Sequence, residues 1–95
     1  MCLPAFSGLA SEVSASSWTC QQAGLTRQVV IYYPEAPARL PCQVFYAKPT
    51  ENTLPRALWE AENEPDYCEQ KAAEFIEKLR SWGWYCVRDK QAAPE

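Results

Sequence analysis

The side chains in this sequence best suited to chemistry are its carboxylates and its cysteines, because no histidine occurs. That absence removes the usual proton shuttle at neutral pH, every Ser-His or Cys-His nucleophile pair, and the commonest zinc and haem ligand. The densest acidic stretch is Glu60, Glu62, Glu64, Asp66 and Glu69. Alternate acids suggest oxygen ligands for calcium, but an EF-hand loop starting at Glu60 would need Gly where Pro65 stands and Glu where Lys71 stands. Glu60 and Glu62 would lie about 7 Å apart on one strand face. That is the separation of a glycosidase acid pair, so a small carboxylate-dependent hydrolase using Glu60 and Glu62 is one reading. The plainer reading puts these two acids on a solvated strand face and Glu64 and Asp66 at a helix N-terminus. One small domain offers little material for a deep cleft, so the expectation is a chain that is not an enzyme and holds no cofactor or metal.

Cysteines stand at 2, 20, 42, 68 and 86, without a C-x-x-C, which argues against a zinc ribbon, an iron-sulfur cluster and a thioredoxin-type pair. Residues 1–10, MCLPAFSGLA, are uncharged and mostly apolar, and Gly8 and Ala10 are the small residues a signal peptidase requires at −3 and −1. They read as the remnant of a secretory signal peptide, with the translation start upstream. Cys2 as a lipid attachment point is the weaker alternative, since Leu3 to Phe6 make a poor tether. Removing Cys2 with the signal leaves four cysteines, the even number a disulfide framework needs in a periplasmic or secreted protein. Residues 11–16 read as a flexible lead-in, 17–89 as one α+β domain and 90–95 as a disordered tail.

With 95 residues the chain is limited to one domain that hides about 60% of its unfolded surface. A net charge of −3 gives no footprint for nucleic acid, and the apolar runs are too short to span a membrane. Four segments show strand character: SWTCQQ (17–22), RQVVIYY (27–33), CQVFYAK (42–48) and RALWEAE (56–62). From Asn63 the period becomes helical, with Cys68, Ala72, Phe75, Ile76, Leu79 and Trp82 on one stripe. Asn63 serves as the expected N-cap, Pro65 falls in the first turn, Glu69 and the Glu74/Lys78 pair lie on the outer face, and Gly83 closes the helix. WYCVRD (84–89) is a fifth strand.

These elements predict a five-stranded antiparallel sheet of order 5-1-2-3-4, in the sequence ββββαβ, with the helix packed on one face. That order sets Cys20 beside Cys86 on neighbouring strands. It also brings Cys42, at the start of the third strand, to Cys68 in the first helical turn. Both bridges are therefore expected.

The segments LPCQVFY (40–46), ALWEAEN (57–63), YCEQKA (67–72) and LRSWGWYC (79–86) resemble a group of small exported proteobacterial proteins without an assigned function. The resemblance covers most of residues 18–87 and implies a periplasmic address, but it brings no catalytic motif, cofactor or partner.

Tyr32, Tyr33, Phe45, Tyr46, Trp59, Trp82 and Trp84 are in the main core aromatics, with a pocket for an apolar or glycan ligand as the alternative. Neighbours on a strand point to opposite faces, so one of each pair Tyr32/Tyr33 and Phe45/Tyr46 must leave the core. With Cys42, Val44, Tyr46 and Trp59 inward, Phe45 and Leu58 point outward beside Glu60 and Glu62, and flanking arginines are expected to complete a contact surface. The expected role is a non-enzymatic binding or accessory domain, such as an inhibitor, that meets a protein or cell-envelope ligand through this outer face. A structural envelope protein is the further alternative. The sequence leaves the oligomeric state and the ligand open.

Overall fold

The computed structural model describes residues 15–89. Five strands, β1 (Ala15–Gln22), β2 (Leu25–Tyr32), β3 (Cys42–Ala47), β4 (Arg56–Ala61) and β5 (Tyr85–Arg88), form one antiparallel sheet of order β4-β3-β2-β1-β5. Among the described residues a single α-helix, α1 (Tyr67–Ser81), lies across one face, giving the expected two-layer α+β arrangement. The signal remnant with Cys2, residues 11–14 of the lead-in, and the 90–95 tail lie outside the described residues. Ala15 and Ser16, read as lead-in, instead belong to β1, where they pair with Tyr32 and Ile31.

Local chemistry explains most of the boundaries. The β1–β2 hairpin turns on Ala23 and Gly24, both at positive φ (51° and 83°). A two-residue hairpin demands this because only such turns match the twist of the strands. The β2–β3 link carries cis peptide bonds before Pro37 and Pro41. Helix α1 starts later than its periodicity suggests: the N-cap is Asp66, at φ 70°, and not Asn63, which leaves Pro65 ahead of the helix. The end follows the Schellman pattern, with Gly83 N–H donating to Arg80 O (2.9 Å) and Trp84 N–H to Leu79 O (3.1 Å). Gly83 sits at φ 97°, a conformation that strains any residue with a side chain, and a Cβ there would also displace Gln22 Nε2 from Trp82 O, to which it donates (3.0 Å). Trp82 falls just past the helix and is 59% exposed, so it leaves the stripe that its spacing assigned it to.

Cross-strand partners share a sheet face, and the register therefore sorts the side chains. One row across the helix-facing side runs Arg88, Trp18, Val29, Tyr46 and Arg56, and another runs Ser16, Ile31, Val44 and Trp59. Val29, Ile31 and Val44 meet Ala72, Ile76 and Leu79 of α1 in the core, each larger side chain contributing about 1.5–3 kcal/mol by burial. Two buried bridges tie this core together. Cys20–Cys86 links the paired strands β1 and β5, and Cys42–Cys68 links β3 to the first turn of α1.

Arg27 also faces the helix layer. Arg27, opposite Cys20, makes a two-pronged ion pair with Glu51 (2.7 and 2.9 Å), donates to Tyr46 Oη (2.8 Å), and stacks over Trp84 at 4.5 Å. Glu51 raises the pKa of the guanidinium still further, and Arg27 in turn holds the Glu51 carboxyl below the usual carboxylate range. The short 3-10 turn Pro49–Glu51 is thereby clamped against the end of the core.

Candidate functional site

The face away from α1 is built by the alternate residues of the same strands. One row crosses it as Asp89, Ser17, Val30, Phe45 and Ala57, and a second as Ala15, Tyr32, Gln43 and Glu60. Tyr32 and Val87 are 42% and 43% exposed, Tyr85 is 71% exposed, and Val30 and Phe45 are half-buried. Between them lie Thr19, Gln21 and Gln28, which offer hydrogen bonds without charge. The expected flanking arginines are not here. Arg27, Arg56 and Arg88 all register on the helix-facing side, because each stands opposite an inward partner: Cys20, Tyr46 and Trp18 respectively. The charges on the strands of this outer face are therefore carboxylates, Glu60 at one edge and Asp89 at the other.

Asp89 is a member of this face that strand reading did not single out. Its carboxylate accepts hydrogen bonds from Ser17 Oγ and from Thr19 Oγ1 (2.7 Å), and its N–H donates to Ser17 O (2.8 Å). The alternation of Ser17 and Thr19 with Trp18 and Cys20 was the available signal, since it predicts a polar pair on the outer side of β1.

Phe45 lies outward as expected, between Val30 and Ala57. Leu58 stands opposite no residue of β3. The register slips by one between Val44/Trp59 and Phe45/Ala57, so Leu58 is the extra residue of a β-bulge. The slip also puts Ala57 on the outer face and Arg56 on the helix side, the reverse of what strict alternation counted back from Trp59 would give. Glu60 stands opposite Gln43. Glu62 follows in the bend after β4, and with Glu60 and Glu64 it lines an open depression of about 330 Å³ that also touches Tyr67.

The five-acid stretch does not act as one group. Glu69, placed on the outer helix face by periodicity, turns to the sheet instead, where it accepts a hydrogen bond from Tyr33 Oη (3.0 Å) and pairs with Arg39 (3.4 Å) and Arg88 (3.8 Å). Burial, with the charge of Glu69 beside it, pushes the Tyr33 phenol above its ordinary pKa of 10.0. Among the described residues no group of His, Cys, Asp or Glu is arranged to hold a metal ion, and no helix is long and apolar enough to cross a membrane.

The aromatics divide by layer. Tyr33 and Trp84 are core, Tyr32 is on the outer face, and Tyr46 and Trp59 meet Phe75 edge-on at 4.8 and 5.8 Å along the β4 side of the helix. No protein-family model, curated protein or solved structure matches this chain.

Proposed function

We propose that this chain is an exported, non-enzymatic binding domain of the periplasm or the extracellular space, whose outer sheet face contacts a protein or envelope ligand as an accessory factor or inhibitor. The observation that carries the reading is the composition of that face: Tyr32 and Val87 stand exposed beside Val30 and Phe45, close to the bulge at Leu58, with uncharged Thr and Gln between them and, among the described residues of these strands, no basic side chain. Aromatic and aliphatic groups that an isolated sheet gains nothing by exposing are the usual anchors of a contact surface. Two buried bridges in so small a domain support an oxidising compartment. The hydrolase alternative draws less support, because Glu60 and Glu62 line an open depression and not a cleft that could exclude water.

The test is a photo-crosslinking amino acid at position 32 in cells that export the protein, compared with the Phe45→Ser, Leu58→Ser double variant. Burying these two side chains against a partner would contribute about 1.5–3 kcal/mol each. Crosslinking should therefore vanish in the double variant while the thermal midpoint stays within a few degrees. Retention of the crosslinked product, or loss of folding, would show that the face is not a contact surface. Crosslinking to nothing in the parent chain would favour a purely structural role.

A further inference from the structure

We propose that the groove between α1 and the edge strand β4 is a second docking site, for an extended acidic peptide segment of another protein. It is separate from the outer face and does not depend on that reading. Its floor is aromatic: Trp59, Phe75 and Tyr46 interlock edge-on, and a cavity of about 130 Å³ opens between Trp59, Phe75, Glu74 and Lys78. Its rim is basic. Lys71 Nζ lies over Trp59 and Tyr67 at 6.0 and 5.7 Å, Lys48 Nζ lies over Tyr46 at 5.5 Å, Arg56 stands directly across from Tyr46, and Lys78 lines the cavity.

Four of the nine basic residues in a chain of net charge −3 therefore gather at this one edge. The other arginines of the domain are committed, Arg27 to Glu51, Arg39 and Arg88 to Glu69, and Arg80 to Glu77. Of the groove cations, Arg56 and Lys78 are not. Lys71 reaches Glu74 only at 3.9 Å, and among the described residues Arg56 and Lys78 have no ion-pair partner, the Glu74/Lys78 pair expected from spacing being replaced by Lys71/Glu74. Lys48 acts on Glu51, whose carboxylate is already held on both oxygens by Arg27. Cations left over beside an aromatic floor complement a ligand with negative charge and an apolar group.

The position of β4 narrows the ligand to a peptide. It is an edge of the sheet, so its outer side offers main-chain donors and acceptors that a chain laid alongside can pair with. Residues two apart on such a chain face the same way, about 7 Å from each other. An apolar residue opposite Trp59 would enter the cavity, and an acid two positions away would reach Arg56 on one side or Lys71 on the other. The bulge at Leu58 interrupts the edge and discourages flat pairing of two copies, so side-chain anchors select the partner.

The probe is a labelled, end-capped peptide with the sequence Thr-Glu-Thr-Leu-Thr-Glu-Thr, titrated with the folded, oxidised protein and followed by fluorescence anisotropy. Saturable binding is expected, weakened at least tenfold by Lys71→Glu with Lys78→Glu and, independently, by Arg56→Glu, three exposed or half-exposed positions whose exchange leaves the fold in place by circular dichroism. A peptide with Lys for Glu should bind at least tenfold more weakly, as should one N-methylated on alternate residues. Equal binding of the lysine peptide, insensitivity to both sets of charge reversals, or no binding at millimolar protein would overturn the proposal. So would unchanged binding of the N-methylated peptide together with displacement by a sulfated polysaccharide, which would identify a polyanion site and not a peptide groove.

Discussion

The two bridges are nested, and their unequal loops make a prediction about stability that the fold itself dictates. Cys20–Cys86 closes a separation of 66 residues and Cys42–Cys68 one of 26, wholly inside the first. In the chain-entropy account, a bridge stabilises by restricting the unfolded chain, more so for longer loops. With both bonds formed, the inner bridge short-circuits the outer loop to about 40 residues. Removing the outer bridge then costs about 4 kcal/mol and removing the inner one about 3 kcal/mol. A domain of this length holds roughly 4–11 kcal/mol in total, so either loss consumes a large part of its stability. Both pairs are almost fully buried, and paired Cys→Ala replacement forfeits similar contacts in each, which leaves loop length as the difference. The assay is guanidinium unfolding followed by tryptophan fluorescence, comparing Cys20→Ala/Cys86→Ala with Cys42→Ala/Cys68→Ala. The first variant should be less stable by about 1 kcal/mol, and both should show a steeper denaturant dependence because the freed unfolded chain exposes more surface. A greater loss from the inner pair, or losses below 1 kcal/mol from both, would refute the reasoning.

The β1–β2 turn asks a non-glycine residue, Ala23, to hold φ 51°. Ala23→Asn should raise stability by about 0.5–1 kcal/mol, since Asn-Gly suits such turns, and a thermal midpoint that fails to rise would exclude the turn as a source of strain. Tyr33 gives a pH dependence. Its folded pKa is raised, so its contribution is complete below the unfolded value near 10 and is lost as pH climbs through the folded value. Tyr33→Phe should lower stability by about 1 kcal/mol at neutral pH through the lost bond to Glu69, yet flatten the alkaline decline. Urea melts at pH 8 to about 11 would show parallel declines in both proteins if the phenol had no such role.

Much of this arrangement is legible in the sequence because several weak signals constrain one another. Short links force neighbouring strands to pair, the strand order then sets Cys20 beside Cys86, and Cys42 at the start of β3 falls at the end of the sheet where α1 begins. Where no second constraint exists the reading drifts. Asn63 and Pro65 form a plausible helix start by residue type, but Asp66 takes a left-handed conformation that composition does not announce. Trp82 continues the helical spacing, yet Gly83 has already ended the helix beneath it.

The β4 bulge shows why the two surfaces are less legible in the sequence than the fold. RALWEAE alternates apart from Leu58, an apolar residue among the charged ones, and a period-2 pattern does not say whether such a residue is inserted or merely exposed. Since a slip of one residue exchanges the two faces, it decides on which side Arg56 stands. The same slip takes a basic residue away from the outer face, where only carboxylates are then left on the strands, and sets it beside Tyr46 at the mouth of the α1–β4 groove. One unpaired residue, Leu58, thus accounts for part of the charge separation between the two surfaces. Deleting Leu58 should restore regular pairing, carry Arg56 to the outer face and Ala57 to the helix side, and weaken attraction for acidic ligands at the groove.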